Sequence, residues 1–232
     1  MLLRPRQEIF VNRSIAALEE YGDTLSVAPT GAGKTVMFSE ITGRLLSDSQ
    51  QKVLVLAHRD ELTDQNMTRF RELNPSISTS VFDAKTKSWN GQVTFAMVQT
   101  LSREENLVSM PPIDLLIVDE AHHAVAETYQ RIIERVRDLN NAVRILGVTA
   151  TPNRSDKIGL RRVFSNVGDQ ISVGELVSSG NLVPPRTFVM DVGVAEGLSK
   201  VRQSGFDYDM EAVEGILNKR PINQEVVRQW TE

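Results

Sequence analysis

The chain has 232 residues, of which 41% are hydrophobic and 24% are charged, and its formal net charge is −4 at pH 7. These values are typical of a globular protein with one large domain, or one domain and an appendage. The absence of cysteine excludes disulfides and cysteine-ligated metals, which fits a reducing compartment. The negative net charge excludes a uniformly basic surface, so any contact with nucleic acid must come from local patches.

The N-terminus and the apolar runs of the sequence predict a cytoplasmic protein. Met1 leads directly into Leu2-Leu3-Arg4-Pro5, which lacks the pattern of a signal peptide. No apolar run approaches the roughly 20 residues that are needed to cross a bilayer. We therefore expect a cytoplasmic location and no membrane partner.

The first predicted element is a helix. Pro5 suits the first helical turn, apolar residues recur at helical spacing as far as Leu18, and Gly22 is typical of a helix end. Spacing alone favours solvent-exposed positions for Arg4 and Gln7 at the start of this helix.

A glycine-rich segment, Ala28-Pro29-Thr30-Gly31-Ala32-Gly33-Lys34-Thr35, lies between an apolar strand pattern and a helical pattern. Segments of this kind use backbone N–H groups to cradle phosphates. Gly31 and Gly33 would let the chain turn tightly and approach an anion. Lys34 would supply positive charge to the β- and γ-phosphates, and the Thr35 hydroxyl would bind Mg²⁺. The predicted phosphate-binding residues are Thr30, Gly31, Ala32, Gly33, Lys34 and Thr35.

Further apolar runs alternate with helical patterns, which predicts an α/β fold with a mostly parallel sheet and helices on both of its faces. After residue 152 the pattern weakens. There we expect a possible helix within 154–164, a short helix at 173–179 and a strand at 187–192. The strands predicted after the glycine-rich segment lie at 53–57, 78–82, 93–97, 113–118 and 144–149.

Polar motifs follow these strands at the edge where a parallel sheet binds its ligands. His58-Arg59 and Gln99-Thr100 come just after strands, and Asp119-Glu120 and Thr149-Ala150-Thr151 lie at strand ends. Their placement supports the parallel sheet independently of the apolar pattern.

Asp119 and Glu120, the acidic pair, predict the second half of a phosphoryl-transfer site. Their strand is expected beside the glycine-rich segment 28–35, which we call the phosphate loop. Asp119 would hold Mg²⁺ directly or through water, and Glu120 would orient and deprotonate an attacking water molecule. The adjacent residues His122 and His123 lack the spacing of three or four that places two zinc ligands on one helix face. A hydrogen-bonding role is favoured for His122.

Together these motifs resemble the first motor domain of superfamily 2 helicases of the DEAD/DEAH-box type. Residues 28–35 resemble motif I, in which alanine is usual at the first position. Asp119-Glu120-Ala121-His122 matches the DEAH form of motif II, which implies a catalytic role for His122 as well. Thr149-Ala150-Thr151 resembles motif III, which couples the nucleotide state to nucleic-acid binding.

The flanking motifs of the resemblance imply further contacts. Residues 3–7 resemble the segment that carries the adenine-reading glutamine, so Arg4 and Gln7 are expected to bind ATP. Residues 58–62 resemble motif Ia, and residues 99–101 resemble a further motif that contacts nucleic acid. The implied nucleic-acid-binding residues are Arg59, Gln99 and Thr100.

The resemblance implies a RecA-like P-loop NTPase domain at 1–185, with a linker and the start of a second RecA-like domain at 186–232. The motifs of that second domain, including its arginine finger, are not found in the sequence. The chain therefore has the pattern of one half of an ATP- and Mg²⁺-dependent motor. Residues 174–185 resemble the domain exit of RadD-like bacterial and phage helicases, and DNA is favoured over RNA as the partner.

Other functions stay open. One is a duplex DNA translocase of the restriction or remodelling type that does not unwind its substrate. Another is a non-motor, ATP-gated binding module. A P-loop kinase or small-molecule ligase would leave His122 and Thr149-Ala150-Thr151 without a reason.

Overall fold

The computed structural model of the chain describes residues 3–57, 60–152, 159–184, 197, 200–201, 203–204 and 207–231. The chain divides into two compact units, Met1–Val183 and Pro184–Glu232. All of the predicted phosphate, metal and catalytic residues belong to the first unit. The helices and strands of this unit, in chain order, are α1 (Pro5–Tyr21), β1 (Asp23–Val27), α2 (Lys34–Leu45), β2 (Val53–Ala57), α3 (Asp60–Leu73), β3 (Thr79–Phe82), β4 (Val93–Met97), α4 (Val98–Leu101), α5 (Glu104–Leu107), β5 (Leu115–Asp119), α6 (Glu127–Leu139), β6 (Arg144–Thr149), β7 (Val167–Gln170) and α7 (Val173–Ser178).

Within the described residues, seven strands form one sheet in the order β3-β4-β2-β5-β6-β1-β7, and every pairing in it is parallel. The predicted parallel sheet is confirmed. One detail of the prediction is wrong, because β6 lies between β5 and β1 and the acidic strand is therefore not the neighbour of the phosphate-loop strand. The polar residues at the end of β6 consequently sit between the phosphate loop and Asp119.

The sheet has an apolar core on each face, as the continuous apolar strands predict. In β2, Leu54 and Leu56 belong to one core, while Val53 and Val55 belong to the other. Side chains of α4, α5 and α6 complete the first core, and side chains of α1, α2 and α3 complete the second. Helices therefore cover both faces, and the loops at the carboxyl edge of the sheet are left to form a site.

Both ends of α1 lie where Pro5 and Gly22 predict them. Pro5 is the first residue of the helix, and Gly22 adopts a left-handed conformation with φ of 77°. The Gly22 N–H donates to the carbonyl oxygen of Leu18 at 3.0 Å, which closes the last turn.

Three elements of the first unit were not predicted. Helices α4 and α5 have four residues each, which is too short for a helical repeat to be recognised. Strand β7 lies at the edge of the sheet, and only Asp169 of its four residues is buried, so it has neither an apolar run nor an alternating pattern. In the segment 154–164, Leu160–Arg162 form a single 3₁₀ turn, and residues 153–158 lie outside the described residues.

The second unit contains a two-stranded antiparallel ribbon, β8 (Gln203–Ser204) and β9 (Asp207–Tyr208), followed by α8 (Met210–Leu217) and α9 (Arg220–Thr231). The strand predicted at 187–192 lies outside the described residues. In the part of the chain that the structure describes, no helix combines the length and apolar character needed to cross a membrane.

Candidate nucleotide-binding site

The phosphate loop joins β1 to α2 in a conformation that depends on its two glycines. Gly31 and Gly33 both have φ of 85°, a left-handed conformation that costs other L-residues about 1–2 kcal/mol. Gly33 immediately precedes α2, so the unpaired N–H groups of the first helical turn border the loop. Thr30 and Gly31 are exposed, whereas Ala32 is buried.

Ala28, the first residue of the loop segment, is fully buried in the core beneath the loop. Its N–H donates to the carbonyl oxygen of Thr149 at 2.9 Å. The start of the phosphate loop is thereby fixed to the end of β6, and the side chain at this position packs in the core.

Gln7 is tied to the phosphate loop by its side chain. Its Oε1 accepts from the Arg4 N–H at 3.0 Å, and its Nε2 donates to the carbonyl oxygen of Ala32 at 2.9 Å. A Cβ on Gly33 would lie only 2.7 Å from Gln7 Nε2. The exposed position that spacing favours for Gln7 is therefore wrong, while Arg4 is exposed as expected.

Glu120 occupies a sharp turn directly after β5. Its φ and ψ are both 51°, and it is the non-glycine residue with positive φ among the residues that the structure describes. The turn brings its Oε1 within 3.7 Å of Lys34 Nζ, although the two residues are far apart in sequence. A strained backbone at this point is typical of functional sites, where the surrounding structure holds it in place.

Asp119 and Thr35, the two predicted Mg²⁺ ligands, are connected by a residue that the sequence analysis missed. The Thr35 hydroxyl donates to Asn66 Oδ1 at 2.9 Å, and Asn66 Nδ2 donates to Asp119 Oδ2 at 2.8 Å. The second Asp119 oxygen, Oδ1, accepts from the Glu120 N–H at 3.0 Å. A signal was available, because Asn66 occupies a core-facing position one helical turn before the buried Phe70, where an asparagine is unusual.

Burial raises the pKa of the Asp119 carboxyl above its ordinary value. The hydrogen bond from Asn66 lowers that pKa, and the nearby charge of Glu120 raises it. A cation beside Asp119 would offset the cost of keeping this buried carboxylate charged. The donors present, one hydroxyl and one carboxylate, also fit Mg²⁺, which takes one or two protein oxygens together with phosphates and water.

His122 connects the acidic pair to the end of β6. Its Nδ1 lies 3.1 Å from Thr149 Oγ1 and 3.4 Å from Glu120 Oε2. Thr149 is fully buried, and its Oγ1 also accepts from the Thr151 N–H at 3.1 Å. The hydrogen-bonding role predicted for His122 is thus seen, and its partner is the segment that resembles motif III.

Of the predicted nucleic-acid residues, the structure describes Gln99 and Thr100. Arg59 lies outside the described residues. Gln99 is exposed on α4, directly beyond β4. Thr100 is only 6% exposed, and its carbonyl oxygen accepts from Asn106 Nδ2 at 2.7 Å. Thr100 is therefore buried beside the exposed Gln99, and its role in nucleic-acid binding stays a prediction.

The fold has counterparts among solved structures. The helicase domain of Pyrococcus furiosus Hef superposes with a TM-score of 0.62 at 24% identity, covering 72% of this chain and 38% of the Hef chain. The restriction-modification enzyme LlaGI, solved in complex with a DNA substrate mimic, superposes with a TM-score of 0.61 at 18% identity. That match covers 97% of this chain and 24% of LlaGI.

Sequence comparison shows relatives over nearly the whole chain. A Saccharomyces cerevisiae protein that carries the name of an ATP-dependent helicase, IRC3, is 24% identical over 242 residues. The match covers 99% of this chain but only 34% of IRC3. The family model of the type III restriction enzyme res subunit matches residues 1–154. The chain therefore belongs to this res-subunit family, and its first unit has the RecA-like α/β fold of the Hef helicase domain.

Proposed function

We propose that this chain is the ATP-binding half of an ATP-dependent helicase or translocase that acts on nucleic acid, with DNA preferred to RNA. The observation that carries the proposal is the position of Thr149. Its carbonyl oxygen accepts from Ala28 at the phosphate loop, while its hydroxyl contacts His122 beside the acidic pair. Thr149 thus links its own segment, 149–151, to the phosphate loop and to the acidic pair. In the proposed function these segments couple nucleotide state to nucleic-acid binding, bind the phosphates and hydrolyse ATP, respectively.

The residues divide the work of ATP hydrolysis. Lys34 would neutralise charge on the β- and γ-phosphates, and Thr35 and Asp119 would hold Mg²⁺. Glu120 would orient and deprotonate the attacking water. Lys34 Nζ lies 3.7 Å from Glu120 Oε1, so a bound phosphate would compete with Glu120 for the ammonium group.

Adenine recognition is proposed for Gln7, with Arg4 beside it. Gln7 already contacts both the start of α1 and the phosphate loop, so a base bound there would lie close to the phosphates. An amide can pair with adenine because it offers one donor and one acceptor together.

Nucleic acid is proposed to bind at the carboxyl edge of the sheet through Gln99 and Arg59. Contacts of this kind go mainly to phosphates, so binding should be independent of sequence and sensitive to salt. The structural similarity to LlaGI, solved with a DNA substrate mimic, supports DNA as the partner. The RadD-like subgroup and the cytoplasmic location remain predictions.

The domain division at 1–185 and 186–232 is proposed on the same grounds. The chain spans about a third of the length of IRC3, which leaves room in such relatives for a second RecA-like domain. A second domain supplies the arginine that stabilises charge on the transferred phosphoryl group. Alone, this chain would then bind nucleotide weakly and hydrolyse it slowly.

Nucleotide binding tests the proposed site. We expect a fluorescent ATP analogue to bind the chain with Mg²⁺, and Lys34→Ala to weaken that binding at least tenfold because a phosphate counter-charge is lost. Lys85→Ala is the matched control, since Lys85 is an exposed lysine outside the site. Equal affinity of the wild type and Lys34→Ala would refute the phosphate site.

A duplex translocase that does not unwind is the second candidate, because both the family and LlaGI concern restriction enzymes. Strand-displacement and triplex-displacement assays on a two-domain form of the protein separate the two functions. A helicase separates the strands of a duplex, whereas a translocase displaces only the third strand of a triplex. Nucleotide binding without any binding to DNA or RNA would favour the non-motor module.

A further inference from the structure

Asn66 is a buried polar residue that joins the two residues proposed to hold Mg²⁺. It is 4% exposed, and its side-chain amide contacts Thr35 through Oδ1 and Asp119 through Nδ2. Thr35 comes from the phosphate loop and Asp119 from the end of β5, so Asn66 brings a third element, α3, to the site.

The direction of these hydrogen bonds matters for cation binding. The Thr35 hydroxyl has one proton, and donating it to Asn66 Oδ1 turns the oxygen lone pairs away from Asn66. The Asp119 carboxylate is held at both oxygens, by Asn66 Nδ2 and by the Glu120 N–H. Both oxygen donors are therefore oriented before a cation arrives, by a neutral group that does not compete for it.

Neighbouring contacts hold Asn66 in place. Phe70, one turn further along α3, is fully buried, and its ring meets the ring of Phe95 edge-on at 5.6 Å. Just after the helix, Asn74 Nδ2 donates to the carbonyl oxygen of Ser39 on α2 at 3.2 Å. Helix α3 is thus fastened to the core and to α2, which fixes the backbone that carries Asn66 beside the site.

We propose that Asn66 is a positioning residue that sets the Thr35 hydroxyl and the Asp119 carboxylate for Mg²⁺; this inference rests on the proposed function. Groups that hydrogen-bond to metal ligands orient those ligands, and losing them typically costs about 10–100-fold in metal affinity. A residue with a purely structural role would affect stability without affecting the cation.

The test is the affinity for a fluorescent ATP analogue with Mg²⁺ and, separately, with EDTA. Asn66→Leu removes both hydrogen bonds at similar volume, and Asn66→Ala removes them without adding bulk. We expect both variants to lose at least tenfold of the affinity gained from Mg²⁺, with less than a twofold change in EDTA. Asn74→Ala is the matched control, because it removes another asparagine contact at α3 and should keep the wild-type gain.

The outcomes are separable when all proteins are compared below their unfolding temperatures. A wild-type gain from Mg²⁺ that persists in both Asn66 variants overturns the positioning role and leaves the proposed function standing. A wild type without any gain from Mg²⁺ overturns the proposed cation site, and this inference with it. Loss of the gain in Asn74→Ala as well would mean that α3 docking matters and not the Asn66 amide, which also overturns the inference.

Discussion

Polar side chains of the candidate site are held by ion pairs or hydrogen bonds to other parts of the chain. Lys34 faces the carboxylate of Glu120, and Gln7 bonds to the phosphate-loop backbone. These contacts satisfy the polar groups of the site within the protein. A nucleotide would have to compete with them, so we expect single substitutions at these residues to change nucleotide affinity.

At the residue scale, two positive-φ glycines, Gly22 just after α1 and Gly33 in the phosphate loop, give a matched pair of variants. Gly33→Ala and Gly22→Ala should each lower stability by about 1–2 kcal/mol, because φ is 85° and 77° respectively. A Cβ at Gly22 meets nothing within 4 Å, whereas a Cβ at Gly33 lies 2.7 Å from Gln7 Nε2. Only Gly33→Ala should therefore weaken ATP binding. Chemical denaturation and nucleotide titration check this, and equal nucleotide affinity in the two variants would contradict it.

Glu120→Gln gives a second prediction at this scale. Removing the charge frees Lys34 from its partner at 3.7 Å and removes repulsion between Glu120 and the phosphates. We expect ATP to bind more tightly by about 1 kcal/mol, or about fivefold, while any hydrolysis is lost. Glu127→Gln removes an exposed carboxylate and is the control. Weaker binding by Glu120→Gln would refute the competition for Lys34.

At the scale of elements, α1 is fastened to the sheet edge by arginines. Arg6 pairs with Asp169 and Glu175, and also donates to the carbonyl oxygen of Gln170 at 2.8 Å. Arg13 pairs with the same Asp169 at 3.0 Å, and Asp169 itself is 6% exposed. Strand β7 and helix α7 thereby fix the start of α1, from which the Gln7 side chain reaches the phosphate loop.

Arg6→Met should loosen this attachment. Asp169 keeps Arg13 as a partner, so we expect a loss of about 2 kcal/mol, less than for a fully unpaired buried charge. Because Gln7 is the next residue, the preference for ATP over GTP should fall as well. Arg131→Met is the control, since its i,i+4 pair with Glu127 is exposed and worth less than about 0.5 kcal/mol. Urea unfolding measures the stability, and competition by GTP measures the nucleotide preference. An unchanged preference for ATP would show that base recognition does not depend on the attachment of α1.

At the scale of the whole molecule, the parallel sheet gathers the phosphate loop, the acidic pair and the Thr149–Thr151 segment at one edge. Each of these lies at the carboxyl end of a strand, β1, β5 or β6. In the proposed function, this arrangement binds and polarises ATP from one side. In the proposed function, the opposite side of the nucleotide belongs to a second RecA-like domain.

A site that is shared with a second domain, as proposed, predicts slow turnover by this chain. Phosphate release by the 232-residue chain should be slow and unresponsive to single-stranded DNA, duplex DNA or RNA, since no arginine from a second domain stabilises the transition state. A two-domain form of the same protein should be strongly stimulated by DNA. Robust stimulation of the isolated chain by nucleic acid would show that one domain suffices.

Much of the site was predictable because its residues follow apolar strands in fixed local patterns. The phosphate loop depends on two glycines, Gly31 and Gly33, that are one residue apart, and the acidic pair depends on the end of a buried strand. Both are local properties, so sequence spacing carries them. Gln7 was assigned a solvated position by spacing, since its contact with Ala32 joins segments that are distant in the chain.

The sequence by itself determined the α/β class and the parallel strands, because burial on both faces requires continuous apolar runs. It also determined the glycine-rich turn between β1 and α2, because that turn needs residues that tolerate positive φ. Tertiary structure alone decided that β6 separates β5 from β1, since strand order depends on how helices pack across the sheet. It also decided that Asn66 joins Thr35 to Asp119 and that Thr100 is buried. These contacts join side chains from separate elements, and no local sequence pattern predicts them.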